Sequence, residues 1–124
     1  MRGVFVQFTA LATAVAASKL KLGHPHHSHH EPGRTNALQV ISCTTPKEYL
    51  GVQSYLYRET QPGYFYLVNS SAGKDEDAKF VNAAANEPCI NGARYKSKAN
   101  FLIVDGGQRY ERFDQWSPAV VVNC

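Results

Sequence analysis

Five histidines fall within seven positions, His24, His26, His27, His29 and His30, and neutral imidazole is a common ligand for zinc, copper or nickel. The stretch that carries them, Gly23 to Gly33, holds almost no apolar side chain. Established metal sites fix their ligands on ordered backbone with supporting hydrogen bonds. A solvated spacer is therefore the reading that composition favours, with loose metal binding as the alternative, and no cofactor is expected. Because all five histidines lie there, none remains downstream to serve as general base beside Ser, Cys or Thr. Glu48, Glu59, Asp105, Glu111 and Asp114 could pair as acid and base in a hydrolase, but their spacing singles out no pair. The chain has no Gly-rich phosphate loop and no Cys-x-x-Cys. No catalytic residue is assigned, and the chain is not expected to be an enzyme.

Contact chemistry is better represented. Arg94, Lys96 and Lys98 alternate, which on a strand sets three cations on one face with Tyr95 on the other. Arg109 and Arg112 follow on the next hairpin, and the five could form a basic strip for a phosphate backbone, an anionic glycan or an acidic protein surface. The competing reading is a charged edge that discourages aggregation. Tyr55 and Tyr57 share one face of their strand, as do Tyr64 and Tyr66 of theirs. If those strands pair, the rings build a cross-strand ladder, either structural filler or a platform for sugars or bases. Trp116, beside Pro118, is a core plug or a partner anchor. The sequon Asn69-Ser70-Ser71 would present Asn69 for glycosylation in an exported protein.

The elements that must position these residues follow an export pattern. Arg2 supplies a positive start, Val4 to Ala17 is an apolar and small-residue run, and Val15-Ala16-Ala17 suits signal peptidase. Residues 1–17 are read as a cleaved signal, because the run is shorter than the about 20 apolar residues that cross a bilayer and is interrupted by Gln7, Thr9 and Thr13. No stable membrane insertion is expected. Residues 18–36 read as a disordered His-rich arm, and 37–124 as one small secreted domain. The formal charge of +3 falls to about +2 without Arg2, too mild to argue for nucleic acid.

Past Thr35, short runs rich in Val, Ile, Tyr and Phe alternate with Pro, Gly, Asn and Asp, the mark of an all-β domain. Expected strands are Leu38–Cys43, closed by Thr44-Thr45-Pro46, then Gly51–Arg58, Tyr64–Asn69, Ala93–Lys98, Phe101–Val104, Gln108–Phe113 and Ala119–Val122; Lys79–Ala83 reads as a short strand or as the start of a brief helix through Ala84 and Ala85, and Cys89-Ile90 leads into the turn before Ala93. Turns fall at Gln61-Pro62-Gly63, Asn91-Gly92 and Asp105-Gly106-Gly107, and Ser70–Asp77 reads as a polar loop. About 6–8 short strands make a small antiparallel sandwich or barrel. The cysteines Cys43, Cys89 and Cys124 allow one bridge and one leftover thiol. Cys43 with Cys89 is preferred, since it closes a long loop and confines the unfolded chain by about 4 kcal/mol. Cys43 with Cys124 is the alternative.

With a short leader, a low-complexity spacer and a small strand-rich domain with few cysteines, the chain resembles a secreted fungal effector. Residues 37–105 resemble the MAX effector family, disulfide-pinned β-sandwiches, in which the bridge would run from Cys43 to Cys89 within Asn86-Glu87-Pro88-Cys89. The chain departs from that pattern in the 20 residues after Val104 and in its third cysteine. The resemblance implies a non-enzymatic virulence protein, extracellular or translocated into host cells, that binds a host protein. The alternatives are a cell-wall or carbohydrate-binding module, with Tyr55, Tyr57, Tyr64, Tyr66 and Trp116 on sugar, and a ribonuclease-like hydrolase.

Overall fold

A computed structural model describes residues 18–28 and 31–124, so the signal expected over 1–17 lies outside the described residues, as do His29 and His30. The described chain is all-β: β1 (Ser18–Lys21), β2 (His26–His27), β3 (Arg34–Gln61), β4 (Tyr64–Pro88), β5 (Arg94–Asp105), β6 (Gln108–Trp116) and β7 (Val120–Val121). These form one antiparallel sheet curled into a half-barrel.

Two strands dominate it. The expected strands Leu38–Cys43 and Gly51–Arg58 are the two halves of the 28-residue β3, which does not end at Thr44-Thr45-Pro46 but bends there. Register against β4 slips between Ser42, opposite Phe80, and Lys47, opposite Ala78, and Pro46, which lacks an N–H to donate, sits in the slip. Across from it Asp77 takes a left-handed backbone, φ 49°, completing the corner. The fold-back is tight enough that a Cβ on Gly73 would stand 2.0 Å from the Asn82 carbonyl oxygen, which reserves that position for glycine. Ser70–Asp77, expected as a loop, is instead the exposed middle of β4, its residues 70–76 paired one by one with residues 49–55 of β3. The turns at Gly63, Gly92 and Gly106-Gly107 form as expected, all with positive φ, and Cys89-Ile90 is not a strand.

Residues 18–28 depart from the disordered arm expected of their composition. Ser18–Lys21 pairs with Val40–Cys43, and His26–His27 pairs with Thr35 and Asn36. Leu20 and Leu22 pack against the core, and the Gln39 side chain accepts from the Gly23 N–H at 2.7 Å. Main-chain pairing and one buried amide hold a segment too poor in apolar residues to order itself, so Ser18–Lys21 and His26–His27 are part of the sheet.

The interior has two apolar parts. The larger joins Ile41, Cys43, Leu50, Val52, Val81, Phe101 and Ile103; the smaller joins Ala37, Leu56, Ala85, Tyr95 and Val122. Between them lies a buried polar layer. Ser54 donates to the Ala37 carbonyl at 2.8 Å, the Ser97 hydroxyl donates to the Gly23 carbonyl at 2.7 Å, and Ser117 accepts from the Ser97 N–H at 2.8 Å. Each of these three hydroxyls has a partner, as burial favours, whereas the buried Thr35 hydroxyl has none among the described residues.

The bridge joins Cys89 to Cys124, correcting both expected pairings through Cys43. Cys43 is buried and free in the larger apolar part, opposite Ser18 and touching its hydroxyl. The Cys89 N–H instead donates to the Gly33 carbonyl, ten residues back along β3 and so roughly 30 Å away at strand rise. Cys124 is brought to Cys89 by the Asn91-Gly92 turn. The Gly92 N–H donates to the Val122 carbonyl at 3.0 Å, and the Val122 N–H donates to the Ala93 carbonyl at 3.0 Å.

Candidate functional site

Alternate residues of β3 and β5 point to opposite sides of the sheet. Leu50, Val52, Ser54 and Leu56 face inward with Tyr95, Ser97, Ala99, Phe101 and Ile103. Their neighbours Tyr49, Gly51, Gln53, Tyr55 and Tyr57, with Arg94, Lys96, Lys98, Asn100 and Leu102, form the outer face. Register sets that face in rows: Tyr57 opposite Lys96, Tyr55 opposite Lys98, Gln53 opposite Asn100 and Gly51 opposite Leu102. Trp116 of β6 stands opposite Lys98, and Phe65 of β4 opposite Glu59.

At one end of this face, cations and rings interleave. The Lys96 ammonium lies 4.5 Å from the centroid of Phe65 and 4.6 Å from that of Trp116. Lys98 lies 4.5 Å from Tyr55 and 5.5 Å from Trp116, Arg94 lies 5.8 Å from Phe65, and Tyr57 packs against Trp116 with centroids 5.0 Å apart. Arg94 is paired with Glu59 at 2.9 Å and Lys98 with Asp114 at 3.5 Å. No carboxylate among the described residues lies within ion-pair distance of Lys96, so its charge meets only ring faces. Trp116 is 45% exposed, on the surface and not a core plug.

Toward the other end the same strands carry a shallow groove of about 410 Å³. Gly51, Ala72, Leu102, Tyr49 and Phe113 line it, and the Tyr49 ring lies against Gly51, where an added Cβ would stand 3.0 Å from Cε1. Inside it the Asn100 amide donates to the Gln53 side-chain oxygen at 2.9 Å and accepts from the Asp114 N–H at 2.8 Å.

Six of the ten expected contact residues, Arg94, Lys96, Lys98, Tyr55, Tyr57 and Trp116, therefore meet on one face. Arg109 lies on that side but is joined to Glu111 at 2.8 Å, and Arg112, opposite the inward Phe101, is on the other. The ladder expected from Tyr64 and Tyr66 does not form. A bulge between Leu56 and Tyr57 sets Tyr66 opposite Arg58, on the side away from Tyr57, and Phe65 takes the place. Phe65, Tyr49, Gln53, Asn100 and Phe113 were not singled out from sequence; the one available signal for Phe65 was its position between two tyrosines, where a one-residue slip exchanges faces. Asn69 is exposed, and its amide donates to the Asn86 carbonyl at 2.6 Å.

The carboxylates do not converge. Glu59 and Asp114 hold the cations named above, Glu111 holds Arg109, Asp105 faces Lys47 at 3.5 Å, and Glu48 accepts from the Gly107 N–H at 3.3 Å. Glu87 binds Arg58 at 2.8 Å and accepts the Tyr95 O–H at 2.7 Å. Burial, reinforced by that carboxylate, raises the Tyr95 phenol above its ordinary pKa. His24 is exposed, its carbonyl lies 3.0 Å from His26 Nδ1, and the Gly33 N–H donates to His27 Nε2 at 3.3 Å. No group of three His, Cys, Asp or Glu placed to hold a metal ion occurs among the described residues, and no helix among them is long and apolar enough to cross a membrane.

No family model and no curated protein matches the chain. Among solved structures it is similar to the catalytically inactive OgpA of Akkermansia muciniphila in complex with an O-glycopeptide substrate, with TM-score 0.36 and 10% identity over 81% of this chain and 30% of that one. It is also similar to wild-type OgpA, with TM-score 0.32 and 10% identity over 81% and 29%. The chain spans less than a third of either, and at these scores the likeness carries no argument about function.

Proposed function

We propose that the protein is an exported, non-catalytic protein of the effector type that engages a host macromolecule through the outer face of β3 and β5. The observation that carries this reading is Lys96, a cation with no carboxylate partner held between Phe65 and Trp116 on a half-exposed surface. Such an ammonium keeps its charge available to an incoming anion while the rings beside it offer apolar area, and aromatic and cationic anchors dominate binding energetics. Glu48, Glu59, Asp105, Glu111 and Asp114, the carboxylates that could have paired as acid and base, are each committed to a separate cation or backbone donor, which suits a contact protein better than acid and base chemistry. The export part of the reading rests on the leader-like sequence of residues 1–17 and on the Cys89–Cys124 bridge, which suits an oxidising compartment. The resemblance to MAX effectors contributes less, because the bridge it implies is not the one formed.

The test uses the full chain, expressed with its own N-terminus in a secreting eukaryotic host and recovered from the medium. Cross-linking to host tissue should capture a discrete set of partners that is lost in Lys96→Glu/Trp116→Ala and retained in Lys21→Glu, an equal charge change on β1. Partners captured equally by all three forms, or a chain that never leaves the cell, would overturn the reading.

A further inference from the structure

The strip around Lys96 and the groove between Tyr49 and Phe113 share one face, and together they describe a ligand more closely than either does alone. We infer that this face binds a sparsely carboxylated polysaccharide, a neutral sugar backbone bearing uronic acids at intervals, with one carboxylate on Lys96 and sugar rings lying on Phe113 and Tyr49. The inference rests on the binding reading above and names its ligand.

Three observations support a glycan. The groove is shallow and carries two aromatic rings, Tyr49 lying against Gly51 and Phe113 47% exposed, so a flat sugar ring can lie on either. Stacking of a sugar's C–H face on such a ring needs no charge and little loss of side-chain freedom. Gln53 and Asn100 place two linked amides in the groove, and a side-chain amide both donates and accepts, as alternating sugar hydroxyls require. Gln53 is exposed and Asn100 half-buried, so both remain within reach of a ligand.

Charge then separates a sparse anion from a dense one. Of the three cations on the strip, Glu59 already holds Arg94 and Asp114 already holds Lys98, which leaves Lys96 open. Lys74, the other cation on this face without a carboxylate at ion-pair distance, borders the groove opposite Gly51. It lies six residues along β3 from the Tyr57 row, roughly 20 Å at strand rise. Between and around them stand Asp114, Glu76 and Glu111, all exposed. A polynucleotide carries a negative charge at every nucleotide and gains affinity from many neutralised phosphates. On this face it would meet two open cations and three carboxylates. A polymer with one acid group per several sugars meets the open cation and is otherwise read by rings and amides.

Affinity electrophoresis of the full-length secreted protein decides between these ligands. Three probes are used: glucuronoxylan, the same polymer with its carboxyls reduced to alcohols, and a single-stranded oligonucleotide. Glucuronoxylan should retard the protein, and carboxyl reduction should weaken retardation about tenfold, the scale of one charge-assisted hydrogen bond. Lys96→Gln should show the same tenfold loss on the native polymer and none on the reduced one, a coupling that general unfolding does not produce. Phe113→Ala should weaken both polymers, and Lys21→Gln neither. Partly methyl-esterified polygalacturonate supplies a second backbone. No retention by either acidic polysaccharide, or tighter retention by the oligonucleotide, would overturn the inference. If host partners are still captured and still lost in Lys96→Glu/Trp116→Ala, only the ligand assignment fails; if capture ignores those substitutions, the binding reading fails with it.

Discussion

The two sides of β3 and β5 are built from alternate residues of the same strands, yet they treat polar groups in opposite ways. On the inner side Ser54, Ser97 and Gln39 are fully buried, and their hydrogen bonds run to one another or to the Ala37 and Gly23 carbonyls and the Gly23 N–H. On the outer side the cations are paired at the margins, Arg94 and Lys98, and open in the middle, Lys96. Inside, an unpaired group would cost about 1–3 kcal/mol without return. Outside, the same incompleteness leaves Lys96 without a carboxylate among the described residues, open to the anion proposed above. The buried Thr35 hydroxyl, which has no partner among the described residues, is the exception on the inner side of β3, so the degree of pairing, more than residue type, separates the buried side from the side proposed to bind.

The sharpest way to break this contrast is to truncate neighbours on one strand. Phe101 is 2% exposed and faces the larger apolar part, while the next residue, Leu102, faces outward. Phe101→Ala should cost about 3–5 kcal/mol, transfer and cavity together, and Leu102→Ala less than about 1 kcal/mol, read as shifts of the urea midpoint at constant slope. Equal costs would mean that the outer face is covered in solution and is not the free side of the sheet.

A smaller effect probes the inner polar groups. Tyr95→Phe removes the donor to Glu87 while leaving Arg58 in place, and should cost about 1–2 kcal/mol. The raised Tyr95 phenol gives the loss a pH signature. A group that holds its proton more tightly in the folded state stabilises fully below the unfolded pKa, about 10 for tyrosine, and loses that contribution as pH rises through the folded value. Stability of the natural chain should therefore fall above about pH 10 more steeply than that of Tyr95→Phe. Parallel curves would show that Tyr95 ionises as freely folded as unfolded.

How much of this was legible in the chain follows from the same alternation. The period of two put Tyr55 with Tyr57 on one face of their strand and Arg94, Lys96 and Lys98 on one face of theirs, while the pairing that brings those two faces to the same side had no signal in the sequence; glycine at Gly63, Gly92 and Gly106-Gly107 marked the turns. Three features escaped it. Ser70–Asp77 is a strand exposed over nearly all its length, so its composition cannot differ from that of a polar loop. Residues 18–28 are held by backbone pairing, which leaves no trace in hydropathy. The bridge depends on the distance between strand ends, and loop entropy, which favoured Cys43 with Cys89, contains no such distance. Phe65 and Tyr66 exchanged roles for a related reason: a bulge is a single uncounted residue, and everything beyond it changes side.

The smallest expected effect on stability is also the most direct handle on the outer face. Asp114 sits at the β6 irregularity with a left-handed backbone, φ 54°, and its carboxylate, 73% exposed, pairs with Lys98 at 3.5 Å. Asn tolerates that backbone as well as Asp does, so Asp114→Asn removes the charge without straining the bulge, and loss of an exposed pair should change stability by less than about 0.5 kcal/mol. The substitution nonetheless frees Lys98 beside Lys96 and withdraws a repulsive carboxylate from the face. Retention by glucuronoxylan should rise severalfold, and retention by the oligonucleotide should rise as well, since two adjacent open cations begin to suit a denser anion. An affinity for acidic polysaccharide that is unchanged in Asp114→Asn would mean that the anion is held elsewhere than on the Lys96–Lys98 strip.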